Sequence, residues 1–233
     1  MQVKKAMILA AGYGKRMLPL TSTTPKPLIK IGSKNLLERA IELLEKIGIK
    51  EIVINSHHLS GEIEKFFKVK NYKISINLVK EEKLLDTGGG IFNATKQFDK
   101  DEPFFVLNPD TIWNKNYYEE LKILENLYLT NKKPVLLLVD KKKSFDKFFK
   151  GDFNLVDRKI ITRGKENNFV FTGAQIINRS IFDTVDKKIF SMNLIWNNLI
   201  SKQSILGQES NQTFFHINSV KVFKDLQKLR FID

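Results

Sequence analysis

The stretch MILAAGYGKRMLPLTSTTPKPL, Met7 to Leu28, decides how the rest of the chain is read. It opens on the apolar run Met7-Ile8-Leu9-Ala10-Ala11, which reads as a buried strand. The run breaks at Gly12-Tyr13-Gly14, and Lys15 and Arg16 follow at once. Glycines at 12 and 14 can take backbone angles closed to other residues and put no Cβ between the loop and a ligand. A strand feeding a glycine loop with successive free N–H groups makes a concavity for an anion. The Arg16 guanidinium adds a rigid fork of donors suited to phosphate oxygens. Further on, Pro25 and Pro27 flank Lys26. Each ring fixes its own φ and restricts the residue before it, so Lys26 is a cation on a stiff backbone, which suits a charge-stabilising role. Two familiar phosphate loops are excluded. The P-loop pattern is absent, and the dinucleotide fingerprint G-x-G-x-x-G has Met17 where its third glycine belongs.

Outward from this stretch the apolar pattern alternates between two periods. Leu36, Leu37, Ala40, Ile41, Leu43, Leu44 and Ile47 recur at helical spacing, and Gly48 closes the helix. Glu51 to Asn55 reads as a β-branched strand, Ile63, Phe66 and Phe67 mark a helix, and Tyr72 to Val79 alternates as a strand. Thr87-Gly88-Gly89-Gly90 opens a helix expected to reach about Phe98. Phe104 to Leu107 is a fully apolar strand ending at Asn108-Pro109-Asp110. Tyr117 to Leu129 reads as a helix and Val135 to Val139 as another buried strand. Strands alternating with helices argue for an α/β domain with a largely parallel sheet. Beyond Lys141 the rhythm changes to short strands, at 152–156, 159–161 and 169–177, with helical pieces near Phe182 and from Leu194 to Ile200. Phe214 to Asn218 reads as a last strand and Val220 to Phe231 as a last helix.

Composition narrows the class. The chain has 233 residues, 42% of them hydrophobic and 28% charged, which is ordinary globular composition and enough for one sizeable core. The net charge of +13 comes mostly from scattered lysines and reads as a solvated surface. No basic–aromatic stripe or known module points to nucleic acid. There are no cysteines, so disulfides and thiolate chemistry are excluded. No apolar run is long enough to span a membrane, and the first apolar run leads straight into the glycine loop rather than to a secretory cleavage site, so a cytoplasmic location is expected.

Taken whole, L-A-A-G-x-G-x-R-M-x-P-L-T followed by P-K-P-L resembles the signature of the sugar-1-phosphate nucleotidyltransferases. The resemblance covers essentially the whole chain. It implies a three-layer, Rossmann-like (GT-A-like) α/β domain over residues 1–233 with a mixed, mostly parallel sheet. Residues 1–140 are the nucleotide-binding part, 141–218 a small sugar-binding insertion of short strands, and 219–233 a C-terminal helix. Ala10, Ala11, Gly12, Gly14, Arg16 and Lys26 are then expected on the nucleotide, with Arg16 and Lys26 catalytic. Asp110, just past a buried strand, is expected to hold Mg²⁺ against the triphosphate, since Mg²⁺ takes one or two carboxylates plus phosphate oxygens. The family's G-D pattern there becomes Pro109-Asp110, which removes a backbone N–H. In the family's second metal string, His216 stands where an Asp is usual, and an imidazole suits Mn²⁺ better. Without metal, His216 could instead donate to a substrate phosphate.

Asp86-Thr87-Gly88-Gly89-Gly90 has a bland reading as a threonine-capped helix start. Three consecutive glycines cost conformational entropy, and close approach of a nucleoside to Gly88 and Gly89 is a reason for them. Glu81 lies where related enzymes place a base-reading side chain. An ionised Glu only accepts, so it suits uracil N3–H or the guanine N1–H and N2–H₂ edge and disfavours ATP. The L-x-T-G-G-G-I-F form, together with Gly151-Asp152-Phe153, Phe171-Thr172-Gly173-Ala174 and the compact length, resembles the N-acetylmuramate 1-phosphate uridylyltransferase branch. That resemblance implies UTP and N-acetylmuramate 1-phosphate as substrates, pyrophosphate as a product and a place in peptidoglycan recycling. It also implies Asn108, Asp152, Gly173 and Asn193 near the sugar. A mannose or heptose 1-phosphate guanylyltransferase using GTP is the neighbouring alternative, and a non-catalytic nucleotide-sugar sensor is the alternative of another class. His57-His58, adjacent on an extended segment, point apart and read as loop and core residues rather than a metal pair. Trp196, at helical spacing with Leu199 and Ile200, reads as core.

Overall fold

The computed structural model describes residues 2–157 and 159–229. The expected alternation is present. Strand β1 (Lys5–Leu9) runs into the glycine loop, and a two-strand hairpin of β2 (Lys30–Ile31) and β3 (Lys34–Asn35) turns at Gly32, where φ is +62°. Helix α1 (Leu36–Ile47) begins with a capping box. The Asn35 side chain accepts from the Glu38 amide, and the Glu38 carboxylate accepts from the Asn35 amide. Gly48 ends the helix in the left-handed region at φ +96°. There follow β4 (Glu51–Ser56), α2 (Ser60–Val69), β5 (Ser75–Lys80), α3 (Asp86–Ala94), β6 (Phe104–Leu107), α4 (Tyr117–Asn131) and β7 (Val135–Asp140). The later part adds β8 (Asn154–Val156), β9 (Ile160–Thr162), β10 (Phe169–Ile177), α5 (Met192–Ser201), β11 (Leu206–Ser210) and α6 (Val220–Gln227).

One nine-stranded sheet carries the fold, in the order β5-β4-β1-β6-β10-β7-β11-β9-β8. It is parallel from β5 through β6 and again between β7 and β11, while β10 is antiparallel to both neighbours. Alternate residues along each central strand feed two cores. Ala6, Ile8, Phe105 and Leu107 pack with α1 and α4 residues such as Leu37, Ile41, Leu121 and Leu124. Met7, Phe104 and Val106 pack on the other face with Ile91 of α3 and Ile195 and Trp196 of α5. Each such fully buried aliphatic or aromatic side chain contributes about 1.5–3 kcal/mol. The result is three layers, helices on both faces of a mixed sheet, as expected. No helix among the described residues is long and apolar enough to cross a membrane.

Three expectations are corrected. The α3 helix stops at Ala94 rather than near Phe98, where Thr95 turns its hydroxyl back onto the Ile91 carbonyl at 2.8 Å. Phe214 to Asn218 makes only isolated bridges, Ser144 with Phe214 and Thr111 with His216, instead of a strand. Strand β11 was not expected at all, because Leu206-Gly-Gln-Glu-Ser210 has no apolar pattern of its own. The expected end of the last helix at Phe231 lies outside the described residues.

Candidate active site

The carboxyl ends of β1, β4 and β6, with the β5–α3 connection, open onto one cleft of about 350 Å³. In an open α/β sheet this is the edge where ligands gather. The glycine loop makes one wall. Gly14 stands at φ +63°, and its carbonyl accepts from the Met17 amide at 2.7 Å and the Thr21 hydroxyl at 3.0 Å. Those bonds wind Lys15–Met17 into a single 3₁₀ turn and bring Lys15 and Arg16 to the cleft. A Cβ on Gly14 would lie 2.8 Å from Thr21 Cγ2, so both sterics and backbone demand glycine there. Gly12 differs. A Cβ there would meet nothing within 4 Å, so the space it leaves belongs to the cleft.

Lys26 enters from a second short turn. Pro25 is extended, with φ −62° and ψ 141°, and Lys26–Leu28 form one 3₁₀ turn. From there Lys26 Nζ reaches Asp110 Oδ2 at 2.6 Å. Asp110 is placed by the end of β6. The Asn108 amide donates to Gly173 O at 2.8 Å, and the Trp113 indole donates to Asn108 O at 2.8 Å. The 214–218 segment is stitched to the same place, through Ile217 N to Asp110 O and Ile112 N to Phe215 O, both at 2.8 Å. His216 therefore lies beside Asp110, with Nε2 3.1 Å from Oδ2. Its ring is stacked on Phe214, 5.7 Å away and 8° from parallel. Burial pushes the Asp110 carboxyl up, but the adjacent Lys26 ammonium and His216 ring more than reverse this and hold it well below the usual carboxylate range.

Asp110 also bears on whether the site fits a metal. Its Oδ1 is buried and has no hydrogen-bond partner. A buried carboxylate oxygen without a partner fits a cation that draws its other ligands from phosphate and water. His216 has Nε2 on Asp110 and an unpartnered buried Nδ1. Among the described residues no group of three or more His, Cys, Asp or Glu could enclose a metal by itself. The donor set thus suits a hard cation shared with a ligand's phosphates.

The sequence-derived candidates divide. Ala10, Ala11, Gly12, Gly14, Arg16, Lys26, Asn108 and Asp110 all line the one cleft. Glu81 does not. It is 3% exposed, with Oε1 accepting from Asn55 Nδ2 at 2.7 Å and Oε2 from the Leu85 amide at 3.0 Å. Both oxygens take part in holding the β4 and β5 ends together, and the side chain is not among those lining the cleft. Gly88 and Gly89 are buried against protein rather than open to a nucleoside. A Cβ on Gly88 would lie 2.4 Å from the Phe190 ring, and one on Gly89 2.3 Å from Lys188 O. The glycines let the 188–190 segment lie on the first turn of α3, where Gly89 N donates to Phe190 O at 3.0 Å. Thr87 is not a cap, since its hydroxyl accepts from Met192 N at 2.9 Å.

Of the residues expected near a sugar besides Asn108, Gly173 is pressed onto Asn108, where a Cβ would lie 2.8 Å from Asn108 Cβ. Its φ of +93° sits where the β10 register slips between Phe171 and Gln175. Asp152 Oδ2 accepts from Phe171 N at 2.9 Å. Asn193 Oδ1 accepts from Arg163, which also holds Asn197 and stacks over Phe153. Burial lowers the Arg163 pKa, partly offset by Asp152. Of these residues, Gly173 touches the cleft-lining Asn108, and Asp152, Asn193 and Gly173 are not themselves among the cleft-lining residues. His57 and His58 flank Tyr13 of the glycine loop, with ring centroids 5.5 Å away on each side. Trp196 lies in the core, its indole donating to Gln175 Oε1 at 3.1 Å.

Several cleft residues were not anticipated. Asn55 accepts from Ala10 N at 2.8 Å while donating to Glu81, tying three strand ends together. A polar residue closing an apolar strand beside β1 was the available signal. Asp86, Thr87 and Asn218 also line the cleft, and Asn218 Nδ2 donates to Asp146 at 2.6 Å.

Comparison with known proteins gives the family. The family model described as nucleotidyl transferase matches residues 5–143. The mannose-1-phosphate guanylyltransferase catalytic subunit beta of Drosophila melanogaster is 28% identical over 227 residues, 94% of this chain and 60% of its own length. The mannose-1-phosphate guanyltransferase of Debaryomyces hansenii is 30% identical over 194 residues, 79% of this chain and 52% of its own. The chain spans about half the length of the curated relatives it matches. Among solved structures, a UDP-glucose pyrophosphorylase complexed with UDP-glucose superposes with TM-score 0.79 at 19% identity, covering 97% of each chain. HddC from Yersinia pseudotuberculosis complexed with GMP-PN gives 0.75 at 21% identity, covering 98% of this chain and 99% of its own. At these identities the structural likeness shows the fold alone.

Proposed function

This chain belongs to the nucleotidyl transferase family, and on that premise we propose that it joins a nucleoside triphosphate to a sugar 1-phosphate, releasing pyrophosphate. The observation that carries the reading is the Lys26–Asp110 contact of 2.6 Å at the edge of a cleft walled by the glycine loop. An oxygen of the sugar phosphate attacks the α-phosphorus, the bond to the β-phosphate oxygen breaks, and the leaving pyrophosphate takes the electron pair. The nucleophile is already anionic, so little acid–base work is required. Positioning and neutralisation of developing charge supply the acceleration. Backbone amides at Gly12 and Gly14 face the triphosphate, Arg16 holds the departing phosphates, and Lys26 bridges the α-phosphate and the sugar phosphate. Asp110 is the residue that holds a divalent ion, whose chemistry there is neutralisation of phosphate charge.

The nucleotide is UTP and the acceptor N-acetylmuramate 1-phosphate in the reading that the Asp86–Phe92 and Gly151–Phe153 strings favour. The curated relatives favour a second reading, guanylyl transfer to mannose 1-phosphate. Pyrophosphate release from UTP and GTP, each crossed with N-acetylmuramate and mannose 1-phosphates, separates the two. Release with neither acceptor, nor with N-acetylglucosamine, glucose or heptose 1-phosphate, would reject the transferase reading and favour a sensor, to which Pro109 and His216, the departures from the family pattern, would then be assigned.

A further inference from the structure

The residues Asn55 to His58, at the carboxyl end of β4, touch the glycine loop and the turn behind it at three points. Asn55 Oδ1 accepts from Ala10 N at 2.8 Å. His57 Nε2 meets the Tyr13 hydroxyl at 3.1 Å. His58 Nε2 lies 3.0 Å from Thr21 O, and the Thr21 hydroxyl donates to Gly14 O at 3.0 Å. The partners fix which nitrogen donates. His57 Nδ1 lies 2.8 Å from Glu81 O, and a carbonyl only accepts, so Nδ1 carries the proton and Nε2 of the neutral ring accepts from the Tyr13 O–H. By the same rule His58 donates from Nε2 to Thr21 O. The two imidazoles also flank the Tyr13 ring, His57 edge-on at 85° and His58 tilted at 49°. Lys15, which lines the cleft, places its Nζ over the same ring, 5.4 Å from the centroid.

Tyr13 is 42% exposed, so core packing does not explain the grip on it. Gly12 and Gly14 give the loop a backbone freedom that has to be lost before its amides can hold a ligand. Tyr13 carries the one side chain between them. Resting on the nucleotidyl-transfer reading above, we infer that Tyr13, gripped by His57 and His58, is a positioning residue that holds the glycine loop in its triphosphate-binding shape before the ligand arrives and keeps Lys15 at the cleft. The loop is then ordered during folding rather than during binding. The benefit falls on the triphosphate, which the loop faces, and not on the sugar phosphate.

The test is calorimetric titration of the whole protein with UTP and GTP in Mg²⁺, beside separate KM values for triphosphate and sugar phosphate. The proteins compared are wild type, Tyr13→Phe, Tyr13→Ala, His57→Ala and the Tyr13→Ala/His57→Ala double variant. Tyr13→Ala should weaken triphosphate binding about 10-fold and raise the triphosphate KM alike, while the sugar-phosphate KM stays within about 2-fold. Tyr13→Phe keeps the ring contacts and should recover most of the affinity. Tyrosine and histidine act as one unit, so the double variant should bind no more weakly than Tyr13→Ala alone. Without ligand, amide exchange at Tyr13 and Gly14 should be faster in Tyr13→Ala than in wild type. Unchanged triphosphate affinity in Tyr13→Ala would overturn the assignment. So would equal rises in both KM values, or additive losses in the double variant. The expected loss of triphosphate affinity in Tyr13→Ala, in a protein that transfers to no sugar phosphate, would overturn the proposed function while supporting this inference. Wild-type protein that bound no triphosphate would overturn both.

Discussion

Lys26 Nζ and Asp110 Oδ2 lie 2.6 Å apart, and His216 Nε2 approaches the same oxygen at 3.1 Å. Three segments distant in sequence thus converge on one carboxylate oxygen and leave the other, Oδ1, buried and unpaired. Lys26 is 15% and Asp110 22% exposed, so the pair is largely removed from water and its desolvation offsets much of its attraction. An arrangement with so little net gain to the fold is better explained by what it does to a ligand.

Lys26→Met should cut turnover by about 10²-fold or more, beyond what any lowering of the melting temperature accounts for at the assay temperature. Arg16→Ala should behave alike. Circular dichroism melts beside a pyrophosphate-release assay check both, and near-normal turnover in either variant would remove its assigned role.

Asp110→Asn keeps the shape of the side chain but removes its charge. It should raise the Mg²⁺ concentration needed for half-maximal turnover by about 10-fold or more. Chelation should abolish transfer in wild type. Equal Mg²⁺ dependence in the two proteins would take the ion away from Asp110.

The glycines should separate into two kinds. Gly89→Ala would set a Cβ 2.3 Å from Lys188 O and should destabilise the fold by about 1–3 kcal/mol. Gly12→Ala meets nothing within 4 Å and should melt like wild type, yet bind triphosphate more weakly because its methyl enters the cleft. Thermal melts and calorimetric titration of both variants test this opposition.

Glu38 gives a pH prediction remote from the cleft. Burial pushes its carboxyl up, but Lys70 at 2.6 Å and the Asn35 amide at 2.9 Å more than reverse this and hold it below its ordinary value. A lowered folded pKa means that the charged form's stabilisation is complete above the unfolded value, about 4.3, and is lost as pH falls through the folded one. Glu38→Gln keeps the capping geometry and should cost about 0.5–1 kcal/mol at pH 7, Lys70 being half-exposed, with the gap to wild type closing below about pH 4. Melts across that range read the difference directly.

What could be read from the sequence follows from where each signal is stored. β1, β6 and β7 are buried on both faces, so their near-continuous apolar runs announce them. Helix α1 carries its own capping box and closing glycine. β11 carries no such signal, because Gly207, Gln208 and Glu209 become a strand only through pairing with β7. The cleft residues contributed by the glycine loop and Lys26 were legible because local backbone chemistry marks them. The burial of Glu81 and its bonds to Asn55 and Leu85 were not legible, because they are tertiary facts. The Gly88–Gly90 run showed that something approaches closely, and tertiary packing decides that it is Phe190 and Lys188 at Gly88 and Gly89, and Asn55 at Gly90.

The most direct measurement is pyrophosphate release in Mg²⁺, repeated in Mn²⁺, with UTP and GTP crossed against N-acetylmuramate, N-acetylglucosamine, glucose, mannose and heptose 1-phosphates. The account predicts turnover on a defined nucleotide–sugar pair that Lys26→Met suppresses. Binding of triphosphate with no pyrophosphate from any pair would contradict it.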